Sequence, residues 1–86
     1  MIIPNLLTSY LNDTQPPKKQ SELVDEVNDV MGWQYLTRAT MSYWINSVYL
    51  PGIKTARVIY AAAPSGKLRD LFGEIIEALE NQPVQS

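Results

Sequence analysis

The chain predicts an all-α fold, a compact domain of five helices, and three observations carry that expectation. Apolar residues recur with helical spacing in five segments. Strong breakers, the Pro16–Pro17 pair, Gly32, Pro51 and the run Pro64–Gly66, separate those segments. The single stretch that would also suit a strand has no second strand to pair with. With 86 residues, 45% of them hydrophobic and 19% charged, the chain can bury one modest core and is too apolar to remain unfolded. Residues 1–80 are expected to form one domain, and residues 81–86 (NQPVQS) a disordered tail.

The first helix is expected over residues 4–12, where Leu6, Leu7, Tyr10 and Leu11 lie on one side. NDTQPPKK then breaks the chain, because adjacent prolines remove donors and push the residues before them into extended geometry. A second helix is expected from Ser21, whose hydroxyl suits the first-turn amides, with Glu22 near the positive end of the dipole. Leu23, Val24, Val27, Val30 and Met31 share its apolar face, and Gly32 should end or bend it. Thr37 is the next good N-cap, and the segment to Asn46 buries Met41, Trp44 and Ile45. SVYLPG reads as a loop.

Residues 52–63 predict a mostly apolar fourth helix whose alanines permit close packing. Within it TARVIY would also suit a strand, but the flanking alanines and the missing partner favour helix. APSG stops it. Residues 66–80 hold Leu68, Leu71, Phe72, Ile75, Ile76 and Leu79, the cleanest amphipathic pattern in the chain. That stripe is wider than so small a domain easily covers, so it is expected to be a homodimer interface; the alternative is that it packs on the first and fourth helices.

Several functions are disfavoured by what the residues lack. Without cysteine or histidine the chain has neither a disulfide framework nor the usual ligands of a structural zinc, and no metal or other cofactor is expected. The N-terminus has no basic stretch ahead of its short apolar run, which Pro4 and Asn5 interrupt, and no segment approaches the length of a membrane span. A soluble, cytoplasmic protein is expected. The acids sit in helical blocks typical of solvated faces, and no histidine can activate a serine or threonine. The Gly-Lys of AAPSGK lacks the spacing and the preceding strand of a phosphate loop. The expectation is a non-enzyme.

Charge is unevenly spread. The net charge is −2 and the pI about 4.9, yet residues 30–69 contain Arg38, Lys54, Arg57, Lys67 and Arg69 and no acid. All nine acids fall before or after that stretch. The segregation points to an anionic partner, with a simple solvated surface as the alternative.

The stretch TRATMSYWINSVYLPGIKTA, residues 37–56, resembles the helix-turn-helix proteins of the lambda-repressor-like family, which includes phage Cro proteins and Xre-type regulators. In that family the third helix commonly reads Ser/Thr-Arg-x-Thr-hydrophobic-Ser-x-Trp/Leu-x-Asn, followed by a short loop, a proline and a fourth helix. Thr37, Arg38, Thr40, Met41, Ser42, Trp44, Asn46 and Pro51 stand at matching places. The five-helix plan extends the resemblance to roughly residues 4–80. It implies a small sequence-specific DNA-binding transcriptional regulator, a repressor of phage or bacterial type, with double-stranded DNA as partner and residues 37–46 as recognition helix.

On such a helix the N-terminal residues point into the major groove. There Arg38 can contact guanine O6 and N7 together, Ala39 can touch a thymine methyl, and Ser42 and Tyr43 face the same way. Thr37 and the first amides suit a phosphate, and Asn46, Lys54 and Arg57 are candidates for backbone contacts. One departure stands out: WQYL separates Gly32 from Thr37, more residues than the family usually places there. Either the turn is longer, or the second helix runs on past Gly32 towards Tyr35. The acidic pI and this longer turn also fit a second expectation, a module on a helix-turn-helix scaffold that binds another regulatory protein, as an antirepressor or an inhibitor of a host protein.

Overall fold

The structure, a computed structural model, describes residues 2–81, and these form five α-helices with no strand among them. They are α1 (Ile2–Asn12), α2 (Gln20–Met31), α3 (Arg38–Ile45), α4 (Ile53–Ala62) and α5 (Lys67–Glu80). The all-α expectation holds, and TARVIY is helical. Asn81 ends α5, its N–H donating to the Glu77 carbonyl at 3.0 Å; the rest of the expected tail, from residue 82, lies outside the described residues. No helix among the described residues is long and apolar enough to cross a membrane.

Two helix starts differ from expectation, each for a local reason. α1 begins at Ile2 rather than Pro4, because a proline in the first turn forfeits no intrahelical bond; Ile3, Pro4, Leu7 and Leu11 are then its buried side. α2 is capped at Lys19, not Ser21: Lys19 is extended, and the Glu22 carboxylate reaches back to accept its N–H at 2.9 Å. Glu22 three residues after the cap was the stronger start signal than the hydroxyl of Ser21.

α1 and α2 are tied by one polar cluster. The Tyr10 hydroxyl donates to both oxygens of Glu26 at 3.0 and 3.1 Å, and Lys18 pairs with the same carboxylate at 2.9 Å. Burial pushes the Tyr10 phenol far above its ordinary ionisation range, and the Glu26 carboxylate pushes it further. Between α4 and α5 the contact is close. Gly73 lies where an added Cβ would meet the Tyr60 ring at 3.1 Å, and the Arg69 guanidinium sits over that ring at 4.6 Å.

The core collects Ile3, Leu7 and Leu11 from α1, Leu23, Val24 and Val27 from α2, Met41 and Trp44 from α3, Ala56 and Ile59 from α4, and most of the α5 stripe. This overturns the expected dimer interface. Leu68, Leu71, Phe72 and Ile75 are buried in the chain's own core, and Ile76 and Leu79 pack partly buried against it. The reason is topological: α5 lies against both α1 and α4, and two flanking helices bury the centre of a stripe that looked too broad for one and leave only Ile76 and Leu79 at its margin partly exposed. Phe72→Ala should therefore destabilise the isolated chain by about 3–5 kcal/mol in chemical denaturation, independently of protein concentration, as a core truncation does. A midpoint that moved with concentration would instead restore the stripe to an intermolecular role.

Candidate nucleic-acid interface

α3 is divided cleanly into two faces. Met41 and Trp44 are buried against α1 and α2, whereas Arg38, Ala39, Tyr43 and Asn46 are exposed, with Ser42 half-buried beside them. Met41 and Trp44 lie three apart and so fall on one side of an α-helix; the other residues follow on the opposite arc. The structure thus brings all four residues expected to touch bases, Arg38, Ala39, Ser42 and Tyr43, onto one outward face. Thr37 is the N-cap, its hydroxyl accepting from the Thr40 amide at 3.1 Å. That hydroxyl is therefore used by the helix. The amides of Arg38 and Ala39, ahead of the first intrahelical bond, are the groups left for an anion.

The turn before α3 is longer, and α2 does not run on. Gly32 adopts φ 81°, a left-handed conformation suited to glycine, and its N–H closes α2 on the Asn28 carbonyl at 2.9 Å. The chain then turns sharply, with the Tyr35 N–H on the Trp33 carbonyl at 2.8 Å. Asn28 secures the rest. Its side-chain oxygen accepts from the Leu36 N–H at 2.8 Å and its amide donates to the Leu36 carbonyl at 3.0 Å, while the Leu36 side chain is buried. Sequence reasoning gave Asn28 no role. The signal was present only as a polar residue beside the apolar face of α2, one turn before a helix-ending glycine.

The far end of α3 is equally defined. Asn46 caps it and donates its side-chain amide to the Ser42 carbonyl at 2.9 Å and the Ser42 hydroxyl oxygen at 3.2 Å. Asn46 is thus a structural cap, and the Ser42 hydroxyl keeps its own proton to donate outward. Val48 N–H then bonds the Tyr43 carbonyl at 2.9 Å and Ser47 N–H the Trp44 carbonyl at 3.4 Å, the paired pattern that closes a helix around a left-handed residue. That residue is Ser47, at φ 61°, where glycine is usual. Tyr43 and Tyr49 pack at 5.4 Å between ring centroids, so the loop after α3 contacts the Tyr43 ring.

The cations are less gathered than their order in the chain suggested. Arg57 is held by Glu80 at 2.8 Å. Lys67 lines a cleft with Tyr10 and Asp13 of α1 and its end, and Arg69 is turned onto Tyr60. Arg38 on α3 and Lys54 in the first turn of α4 are exposed and form no salt bridge among the described residues. Arg38 also borders an open cleft between α2 and the turn, whose other walls carry Asp25, Asp29, Trp33 and Gln34. No group of acidic side chains positioned to hold a metal ion is found among the described residues.

Comparison of the chain with protein-family models, curated proteins and solved structures finds no match. The arrangement of side chains is therefore the basis for any functional reading.

Two predictions test this geometry. Asn28→Ala leaves both polar groups of the buried Leu36 backbone without their partner and should cost about 1–3 kcal/mol, with faster amide exchange at Leu36; Asn12→Ala, at the exposed end of α1, should cost far less. Ser47→Gly removes the left-handed strain and should raise stability by about 1 kcal/mol in the same denaturation experiment.

Proposed function

We propose that the protein is a small sequence-specific DNA-binding regulator, of the phage or bacterial repressor type, that inserts α3 into the major groove. One observation carries the reading: α3 is fixed through Met41 and Trp44 while Arg38, Ala39, Ser42 and Tyr43 form a single outward face with the only basic side chain of that helix unpaired. Arg38 offers two parallel donors for guanine, Ser42 a hydroxyl donor, and Ala39 and Tyr43 apolar surface for a thymine methyl. Lys54 and the first amides of α3 serve the backbone. Arg57 would share its guanidinium with Glu80, and the Asn46 side-chain amide is already engaged by Ser42. The role is binding rather than catalysis.

Two copies on a two-fold operator, with half-sites about 34 Å apart, would double the few contacts one copy makes. Their contact could not use Leu68, Leu71, Phe72 or Ile75, which the chain's own core covers. A second reading, a module that docks on another regulatory protein, is favoured by a different observation: Glu22, Asp25 and Asp29 form an exposed acidic ridge along α2.

The test is a fluorescence-polarisation titration against duplexes selected from a randomised library at about 50 mM salt, where phosphate contacts are strongest. Specific binding is expected, and Arg38→Ala should cost roughly 1–3 kcal/mol and relax base preference at one position. If no duplex is selected over random sequence, the DNA reading fails, and a stoichiometric protein complex that forms without DNA affinity would favour the second.

A further inference from the structure

We propose that the lengthened turn is a second reading element, in which Gln34 contacts an adenine edge and Trp33 packs on a neighbouring thymine methyl, next to the base pair met by Arg38. The proposal deepens the DNA-binding reading and rests on it.

Trp33 is 61% exposed, an unusual place for an indole, on a backbone that has little freedom. Gly32 fixes the entry, the Tyr35-to-Trp33 hydrogen bond at 2.8 Å closes a three-residue turn centred on Gln34, and Leu36 is clamped by Asn28. The indole meets Tyr35 edge to face at 5.3 Å, which orients the ring without covering it. A rigid mount under two outward side chains is what a reading element needs, since little ordering entropy is left to lose on binding.

Placement and charge narrow the ligand. Trp33 and Gln34 line the same cleft as Thr37 and Arg38, so the turn and the first residues of α3 face one space. Asp25 and Asp29, which line the same cleft from α2, disfavour a phosphate there. A base edge suits the cleft better, because major-groove edges of adenine and cytosine present amino donors. Gln34 is uncharged and can accept from adenine N6 while donating to N7, and an apolar ring beside it matches the methyl of thymine. An A·T step flanking the Arg38 guanine is the sequence this surface fits.

The experiment uses the full chain and duplexes selected from a randomised library. Trp44 is buried, so acrylamide quenching of tryptophan fluorescence reports Trp33. On binding the selected duplex, the quenchable fraction should be lost, and Gln34→Ala should reduce the preference for A·T at one position by roughly tenfold to a hundredfold. Gln34→Ala alters an exposed side chain and should keep the wild-type melting temperature, whereas Trp33→Ala also gives up the edge contact with Tyr35 and should lower it slightly. The proposal is overturned if the duplex binds in an Arg38-dependent way while quenching and the Gln34→Ala base preferences stay unchanged. Failure of every duplex to bind would instead remove the DNA reading itself. Protection of Trp33 by an arginine-rich peptide but not by the duplex, abolished in Asp25→Asn/Asp29→Asn and not in Glu74→Gln/Glu77→Gln, would overturn the proposal by assigning the cleft to a cationic protein segment.

Discussion

The Asn28 amide is the interaction on which the rest of the candidate interface depends. Its main-chain carbonyl ends α2 by accepting from Gly32, and its side chain then occupies both hydrogen-bonding groups of Leu36, eight residues on. Gly32 thus stops α2 and the Asn28 side chain sets where the approach to α3 begins. Without such a clamp both backbone groups of Leu36 would lose their partner and α3 would be held by its core contacts alone. With the clamp, Leu36 is drawn into the core and Thr37 arrives extended, in the geometry a cap requires.

From that starting point the outward face of α3 follows from packing alone. Met41 and Trp44 can be buried together in only one rotation of the helix, and that rotation turns Arg38, Ala39 and Tyr43 to solvent. Both ends are then closed by side chains, Thr37 at one and Asn46 at the other. An eight-residue helix is marginal by itself, so its order comes from these two caps and the core contacts. The strained Ser47 belongs to the same arrangement, because it carries the chain from the cap to Tyr49, which supports the Tyr43 ring.

Much of the fold was legible because its signals are local. Helical spacing located all five helices, and Gly32, Thr37 and the proline breaks marked their limits to within about two residues. The outward residues of α3 were legible for the same reason, since a period of 3.6 assigns faces without knowledge of the partner. What the pattern could not show was what covers a face. The α5 stripe looked like spare surface because its width says nothing about how many helices lie against it, and here α1 and α4 both do. Asn28 showed only as a polar residue beside the apolar face of α2, because its partner is a backbone eight residues away, and a main-chain partner leaves no trace in residue type. The pairing of Arg57 with Glu80 spans 23 residues and was hidden likewise.

That last contact changes how the charge pattern bears on DNA. Five cations and no acid across residues 30–69 suggested a broad positive surface, but folding pairs Arg57 with an acid and turns Arg69 inward over Tyr60, while Lys67 faces α1. What remains exposed and outside any salt bridge within that stretch, besides Lys67, is Arg38 on α3 and Lys54 in the first turn of α4, against an acidic ridge on α2. Sequence-independent attraction to a polyanion scales with the number of phosphates neutralised, so a surface with two unpaired cations attracts random DNA weakly. Base contacts escape that limit, because a bidentate pair discriminates through geometry rather than net charge. In the proposed role, the acidic α2 ridge lowers affinity for DNA of any sequence and leaves the base contacts of α3 to distinguish one site from another. Discrimination then rests on the rigid face that Asn28, Thr37 and Asn46 hold in place, which is where the hydrogen bonds of this region are concentrated.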